Sequence, residues 1–151
     1  MIVADICSRN PVIVFRNDTV ADACRIMREH HIGSVVVVED NRRNGPVGMI
    51  TDRDVAVGVV ALGLDPETTL VDAVMRPGII AVVETASVRD AIALMRDQGV
   101  RRLPVVDHGG HLVGLLAADD LLDLLAGEIS DLAIMVSHGI TRESRERTAT
   151  V

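Results

Sequence analysis

Phe15 is the only aromatic residue among 151, and Trp and Tyr are absent. A pocket for a flat base would therefore have to use aliphatic side chains and backbone groups, because stacking on an aromatic platform is scarcely available. Cysteine is nearly as scarce. Cys7 and Cys24 show no CxxC spacing and no disulfide framework, so reduced, buried thiols are the expected state and neither redox nor zinc chemistry is invited. No apolar run approaches the roughly 18 to 20 residues of a membrane helix, and no basic segment followed by an apolar stretch opens the chain. The expectation is a soluble, cytoplasmic protein with no membrane contact. Positive charge is also in deficit: 15 basic residues face 22 acidic ones, a net charge of -7, which argues against nucleic acid as a partner.

What the chain does have is a core-forming composition, 48% hydrophobic and 25% charged, at a length sufficient to bury a sizeable interior. It also has an internal repeat. Sliding the sequence by about 68 positions places Thr19-Val20-Ala21-Asp22-Ala23 over Ser87-Val88-Arg89-Asp90-Ala91, Met27 over Met95, Ile32 over Val100 and Val37-Val38 over Val105-Val106. After a shorter second loop the offset falls to about 66, aligning Val47-Gly48 with Val113-Gly114 and Asp54 with Asp120.

Each copy reads alike. Val12 to Val14 and Ile80 to Val83 are short β-branched runs that suit strands. Thr19-x-x-Asp22 and Ser87-x-x-Asp90 supply the hydroxyl and carboxylate that satisfy free amides at a helix start. Val20, Ala23, Cys24 and Met27, and likewise Val88, Ala91, Ile92 and Met95, form one apolar stripe each. His31 and Gly99 fall where a left-handed helix cap is expected. Strands resume at Val35 to Val38 and Leu103 to Val106, and Asn44-Gly45-Pro46 or Gly109-Gly110 turns the chain into the next strand and a last helix. Thr69-x-x-Asp72 predicts a further short helix ending near Met75, before Pro77. The unit is β-α-β-β-α, too small to be comfortably stable alone, so two copies are expected to pack sheet against sheet. The apolar spacing Leu121, Leu125, Ile129, Leu132 and Val136 continues as a helix past the second unit and must pack either back on its own module or against another subunit, and Glu143 to Val151 is polar and expected to fray.

In its order of motifs the chain resembles a tandem pair of CBS domains, a Bateman module. The resemblance rests on DAxxxM at Asp22 to Met27 and Asp90 to Met95, the run Val100 to Asp107, and Gly48-Met49-Ile50-Thr51-Asp52-Arg53-Asp54. It implies an α/β (α+β type) fold: two CBS repeats with pseudo-two-fold symmetry and an extended C-terminal helix. The expected boundaries are residues 1–62 for the first repeat, 63–69 for a linker, 70–127 for the second repeat, and 128–151 for the C-terminal helix and polar tail. The segment Ala61 to Pro66 resembles stand-alone bacterial CBS-pair proteins. The resemblance further implies clefts between the repeats for adenine nucleotides or related adenosyl compounds, and a homodimer of modules.

Thr51 and Asp54 admit two readings: a capping box, or a ligand turn in which the family resemblance assigns the carboxylate to ribose and the hydroxyl to phosphate or ribose. The amides of a helix start would favour an anion there. In the second copy Ala117 replaces the hydroxyl while Asp120 keeps the carboxylate and Asp119 adds negative charge, so the cleft served by Asp54 is expected to be the better nucleotide site. Arg101 and Arg102 stand where the first repeat has Gly33 and Ser34. They are either solvated or reach a phosphate in forked geometry. The resemblance maps base contacts to Val12, Ile13, Ile32, Gly33 and Ser34, for which core packing is the competing explanation. His30, His31, His108 and His111 complete no zinc constellation, and adjacent Asp119 and Asp120 diverge on a helix with no acid or nucleophile beside them. No metal site or catalytic residue is expected.

The expected function is a non-catalytic regulatory module that binds AMP, ADP or ATP and changes conformation or partner contacts. Alternatives are an interaction scaffold with vestigial clefts, or a sensor of S-adenosylmethionine or NAD. No cofactor is required, and an effector protein of unknown identity would read the change.

Overall fold

The structure, a computed structural model, describes residues 1–40 and 44–149. The chain divides into two compact units, 1–116 and 117–151. The first holds most of two four-stranded sheets. One has strand order β2-β3-β4-β5, built from Ile13–Phe15, Ser34–Val38, Pro46–Thr51 and Arg76–Pro77. The other has order β1-β8-β7-β6, built from Ser8–Arg9, Leu112–Ala117, Arg102–Val106 and Val82–Val83. Helix α1 (Val20–His30) carries the chain from β2 to the parallel strand β3, and α4 (Val88–Gln98) does the same from β6 to β7. The mixed α+β architecture and the duplicated plan therefore agree with the repeat in the sequence.

The helix ends follow from their caps. The Thr19 hydroxyl accepts from the Asp22 amide at 3.1 Å, and the Ser87 hydroxyl accepts from the Asp90 amide at 3.1 Å. His31 and Gly99 close the two helices at φ 54° and 64°, the left-handed geometry expected of both. Strand β3 explains why its sequence does not alternate: all five residues are buried. Val35 and Val37 join Val14, Val20, Met27 and Ile50 on the helix side, whereas Val36 and Val38 join Leu112, Ile13 and Phe15 on the other face. A strand covered on both faces favours apolar residues on both, as Val35 to Val38 provide after Ser34.

One correction concerns the start of a short helix. The short helix α3 runs Val71–Val74 with Leu70 as its N-cap and no side-chain cap bond. The Thr69 hydroxyl instead donates to the Asp65 carbonyl at 2.7 Å, while Asp72 accepts from Arg16 at 2.7 Å, so Thr69-x-x-Asp72 is not a capping pair. The short strands are exchanged between the sheets. Ser8–Arg9, near the start of the first repeat, pairs with β8, whereas Arg76–Pro77, near the start of the second, pairs with β4. Gly48 and Gly114 are required by this exchange: a Cβ on Gly48 would lie 2.7 Å from the Arg76 carbonyl oxygen, and one on Gly114 would lie 2.9 Å from that of Ser8.

The second unit contains α5, Ala118–Ala149, 32 residues long. The polar segment expected to fray continues this helix through Ala149, with Arg142 donating to Glu146 at 3.0 Å one turn on. Thr150 and Val151 lie outside the described residues, as do positions 41 to 43 of the first hairpin loop. Among the described residues no helix is long and apolar enough to cross a membrane.

Candidate nucleotide cleft

Strand β4 ends at Thr51, and α2 (Asp52–Val55) starts at once, continuing as a π turn over Ala56–Val60. The change from strand to helix leaves amides unpaired, and the turn supplies its own acceptors. The Thr51 hydroxyl accepts from the Asp54 amide at 3.1 Å, while Asp54 Oδ2 accepts from the Thr51 amide at 2.9 Å. Thr51 and Asp54 thus form a complete capping box.

The box does not use the whole carboxylate. Asp54 Oδ1 accepts from Arg76 Nε at 3.1 Å, and the side chain of Asp54 is 11% exposed against 70% for Arg76. The pairing follows from the strand exchange, since Arg76 stands opposite Met49 in register and their side chains share a face. Beside this pair opens a cleft of about 430 Å³. The first repeat contributes Ser34, Met49 and Thr51, and the second contributes Arg76 to Ile80 and Gly99 to Arg102. The volume falls within the range of about 300 to 1,000 Å³ typical of small-molecule sites.

The lining has two characters. Met49, Ile79, Ile80 and Val100 make an aliphatic wall, and Arg76, Arg101 and Arg102 supply three guanidinium groups with no carboxylate among the lining residues. Arg101 and Arg102 are exposed, and neither makes an ion pair among the described residues. All 15 basic residues of the chain are arginines, which present planar, forked donors suited to phosphate oxygens. A lining of this composition offers apolar contact for a flat group, guanidinium donors for an anion and the hydroxyl of Thr51.

Of the residues singled out in the sequence, the structure brings Thr51, Ser34, Arg101 and Arg102 to this cleft, with Asp54 behind Arg76. Val12 and Ile32 pack instead against the first core. The Gly33 carbonyl accepts from the Asp52 amide at 3.0 Å, and a Cβ there would lie 3.0 Å from Asp52 Oδ2, so Gly33 closes against the back of the turn. Ile13 lines a separate hollow of about 490 Å³ with Arg9, Asn10, Pro11, Asn44, Leu112 and Val113. In the second copy of the turn Asp120 Oδ2 accepts from the Ala117 amide at 3.0 Å. With alanine at the cap, no hydroxyl returns the bond.

The aliphatic residues missed at Ile79, Ile80 and Val100 are the repeat-related counterparts of Pro11, Val12 and Ile32. Carrying the base-contact positions into the other repeat would have found them. Arg76 also breaks the repeat symmetry, standing over Ser8, but the two-residue strand that brings it to the cleft has no periodicity to place it. Outside the cleft, Thr19 holds the Asp22 carboxyl below the usual range, first through its hydroxyl and then through its amide. Burial pushes the Cys24 thiol up, away from the reactive thiolate form. Among the described residues no group of three or more His, Cys, Asp or Glu is placed to hold a metal ion.

Comparison with known proteins bears on the fold and the family. An uncharacterized protein of Methanopyrus kandleri is 37% identical over 122 residues, which make up 81% of this chain and 61% of that protein. This chain therefore spans less than two thirds of that relative. The crystal structure of Hypoxic Response Protein I with two coordinated zinc ions matches at TM-score 0.73 and 31% identity, covering 82% of this chain and 98% of that one. A CBS domain pair solved in complex with 5′-methylthioadenosine and S-adenosyl-L-methionine matches at TM-score 0.73 and 26% identity, covering 85% and 98%. The family model described as CBS domain matches twice, over residues 3–60 and 64–127. With its two repeats, exchanged short strands and an interrepeat cleft, the chain belongs to the CBS-domain family, as a CBS pair.

Proposed function

We propose that the chain is a non-catalytic regulatory module whose Thr51 cleft binds an adenosyl ligand carrying phosphate, of the AMP, ADP or ATP class. The supporting observation is the set of arginines: Arg101 and Arg102, without ion-pair partners among the described residues, line the same cleft as Thr51 and an aliphatic wall. Adenine would lie against Ile79, Ile80 and Val100, the ribose hydroxyls would donate to Asp54, and phosphate would accept from Arg101 and Arg102. Arg76 holds Asp54 Oδ1, so ribose binding would share or displace that contact and free a third guanidinium for the phosphate. Closure of the two repeats on the ligand would then be read by an effector protein or by a second module in a homodimer. The ligand acts only through its unequal affinity for the two arrangements.

A second reading is favoured by the neighbour that binds S-adenosylmethionine and methylthioadenosine: an adenosyl ligand without phosphate. The sulfonium of S-adenosylmethionine would meet three guanidinium groups, which ranks it below a phosphate. A thermal-shift panel of AMP, ADP, ATP, NAD, S-adenosylmethionine and methylthioadenosine separates these readings. Ligand at about 100 times its dissociation constant adds roughly 2.7 kcal/mol, a rise of roughly 5 to 10 °C for a domain of this size. Shifts with the phosphate-bearing members support the proposal. Shifts confined to the last two support the second reading, and none at all leaves an interaction scaffold.

A further inference from the structure

Helix α5 carries an apolar seam in the second unit. Leu122, Leu125, Ile129, Leu132 and Val136 follow alternating steps of three and four residues, and each is between 50% and 67% exposed. Gly139 extends the same alternation by one step. That 3.5-residue period is the pattern of a coiled-coil seam rather than of a stripe buried on a globular core. Met135 and Ile140, also exposed, border it. A helix containing Gly127, Ser130, Gly139 and Thr141 has weak intrinsic propensity, and the burial of an apolar face is what holds such helices in water.

We infer that α5 pairs with α5 of a second copy of this chain as an antiparallel coiled coil. The orientation is set by charge and by register. Residues 118 to 132 contain Asp119, Asp120, Asp123, Glu128 and Asp131 and no basic residue, whereas Arg142, Arg145 and Arg147 gather at the other end with Glu143 and Glu146. Parallel pairing would lay one acidic half against the other, a juxtaposition of like charge that antiparallel pairing avoids. Antiparallel pairing with Ile129 opposite Leu132 places Arg142 opposite Asp119 of the second copy.

The seam is self-complementary in that direction. Setting Ile129 against Leu132 of the second copy sets Leu125 against Val136 and Leu122 against Gly139, so six layers form and every seam position has a partner. The paired stretch of 18 residues is about 27 Å long. The same acidic half argues against an anionic membrane surface as the occupant, because interfacial helices carry basic polar faces.

This pairing deepens the homodimer proposed above but is independent of the nucleotide cleft. Its test uses single-cysteine changes in the full chain, where native Cys7 is buried and Cys24 half-buried. Chains carrying Leu125→Cys and chains carrying Val136→Cys are mixed, oxidised mildly and run without reductant, with Ser130→Cys as a control on the outer face. A cross-linked heterodimer, exceeding any homodimer of either variant alone by at least fivefold, is expected. Homodimers formed by each variant alone would instead establish a parallel pair and overturn the inference. In parallel, sedimentation velocity compares the unaltered chain with Ile129→Asp/Leu132→Asp. Loss of the α5 contact should lower the association by at least tenfold while the ligand-induced thermal shifts persist. An unchanged association together with no cross-link would overturn the inference without touching the cleft.

Discussion

Replacing Asp54 by asparagine separates the two roles of the Thr51 turn. The cap needs one acceptor for the Thr51 amide, now 2.9 Å from Oδ2, and the asparagine carbonyl oxygen can supply it. What disappears is the charge and the second acceptor, which in the ligand-free protein faces Arg76 Nε at 3.1 Å. Because the Arg76 side chain is 70% exposed, that ion pair is screened and contributes about 0 to 1 kcal/mol to stability. The Tm should therefore fall by no more than about 4 °C. Binding should suffer more, since hydrogen bonds to a charged group contribute about 1.5 to 3 kcal/mol. That corresponds to a Kd raised roughly 10- to 150-fold. Calorimetric titration with AMP suits the measurement, because a chain without Trp or Tyr offers no useful intrinsic fluorescence. A Kd within threefold of the unaltered protein, at an unchanged Tm, would refute the reasoning and leave Thr51 and Asp54 as a helix cap alone.

Three further outcomes follow from the same geometry. Arg101→Ala should weaken AMP at least tenfold while leaving adenosine nearly unchanged, read by the same titration, because its guanidinium is assigned to the phosphate. Gly48→Ala would press a Cβ to 2.7 Å from both the Arg76 carbonyl oxygen and Met75 Sδ. It should cost about 1 to 3 kcal/mol, lower Tm by roughly 2 to 12 °C, and weaken AMP by shifting Arg76. Asp22 and Asp107 are held below the usual carboxylate range, Asp22 first by the Thr19 hydroxyl and Asp107 first by the His111 amide. Their unfolded forms bind protons at higher pH than their folded forms, so their stabilisation is complete above the unfolded value of about 3.9 and is lost as pH falls through the folded values. Urea midpoints measured from pH 6 down to pH 2 should fall most steeply below about pH 4, and less steeply in Thr19→Ala.

The repeat made most of the fold legible, because each copy carries local signals that agree with one another. The Thr19 and Ser87 caps, the left-handed His31 and Gly99, and the apolar runs that became β3 and β7 all lie within one element's reach. The exchanged strands were not legible. Ser8–Arg9 and Arg76–Pro77 are two residues each, too short for any periodicity, and their partners lie in the other repeat's sheet. The cleft was half legible for the same reason. Thr51 announced itself by its spacing from Asp54, and Arg101 and Arg102 by breaking the symmetry with Gly33 and Ser34. Arg76 arrives by strand exchange, and Ile79 and Ile80 come with it. The Thr69 pair misled because its hydroxyl found a carbonyl in the preceding loop before it could serve the helix.

The most direct test of the cleft's chemistry is a paired calorimetric titration of the unaltered protein with AMP and with adenosine at two salt concentrations. Three guanidinium groups in the lining of the cleft predict that AMP binds at least tenfold tighter than adenosine and that the ratio narrows as salt rises. Equal affinities for the two, or binding of neither, would contradict the assignment of this cleft to a phosphate-bearing adenosyl ligand.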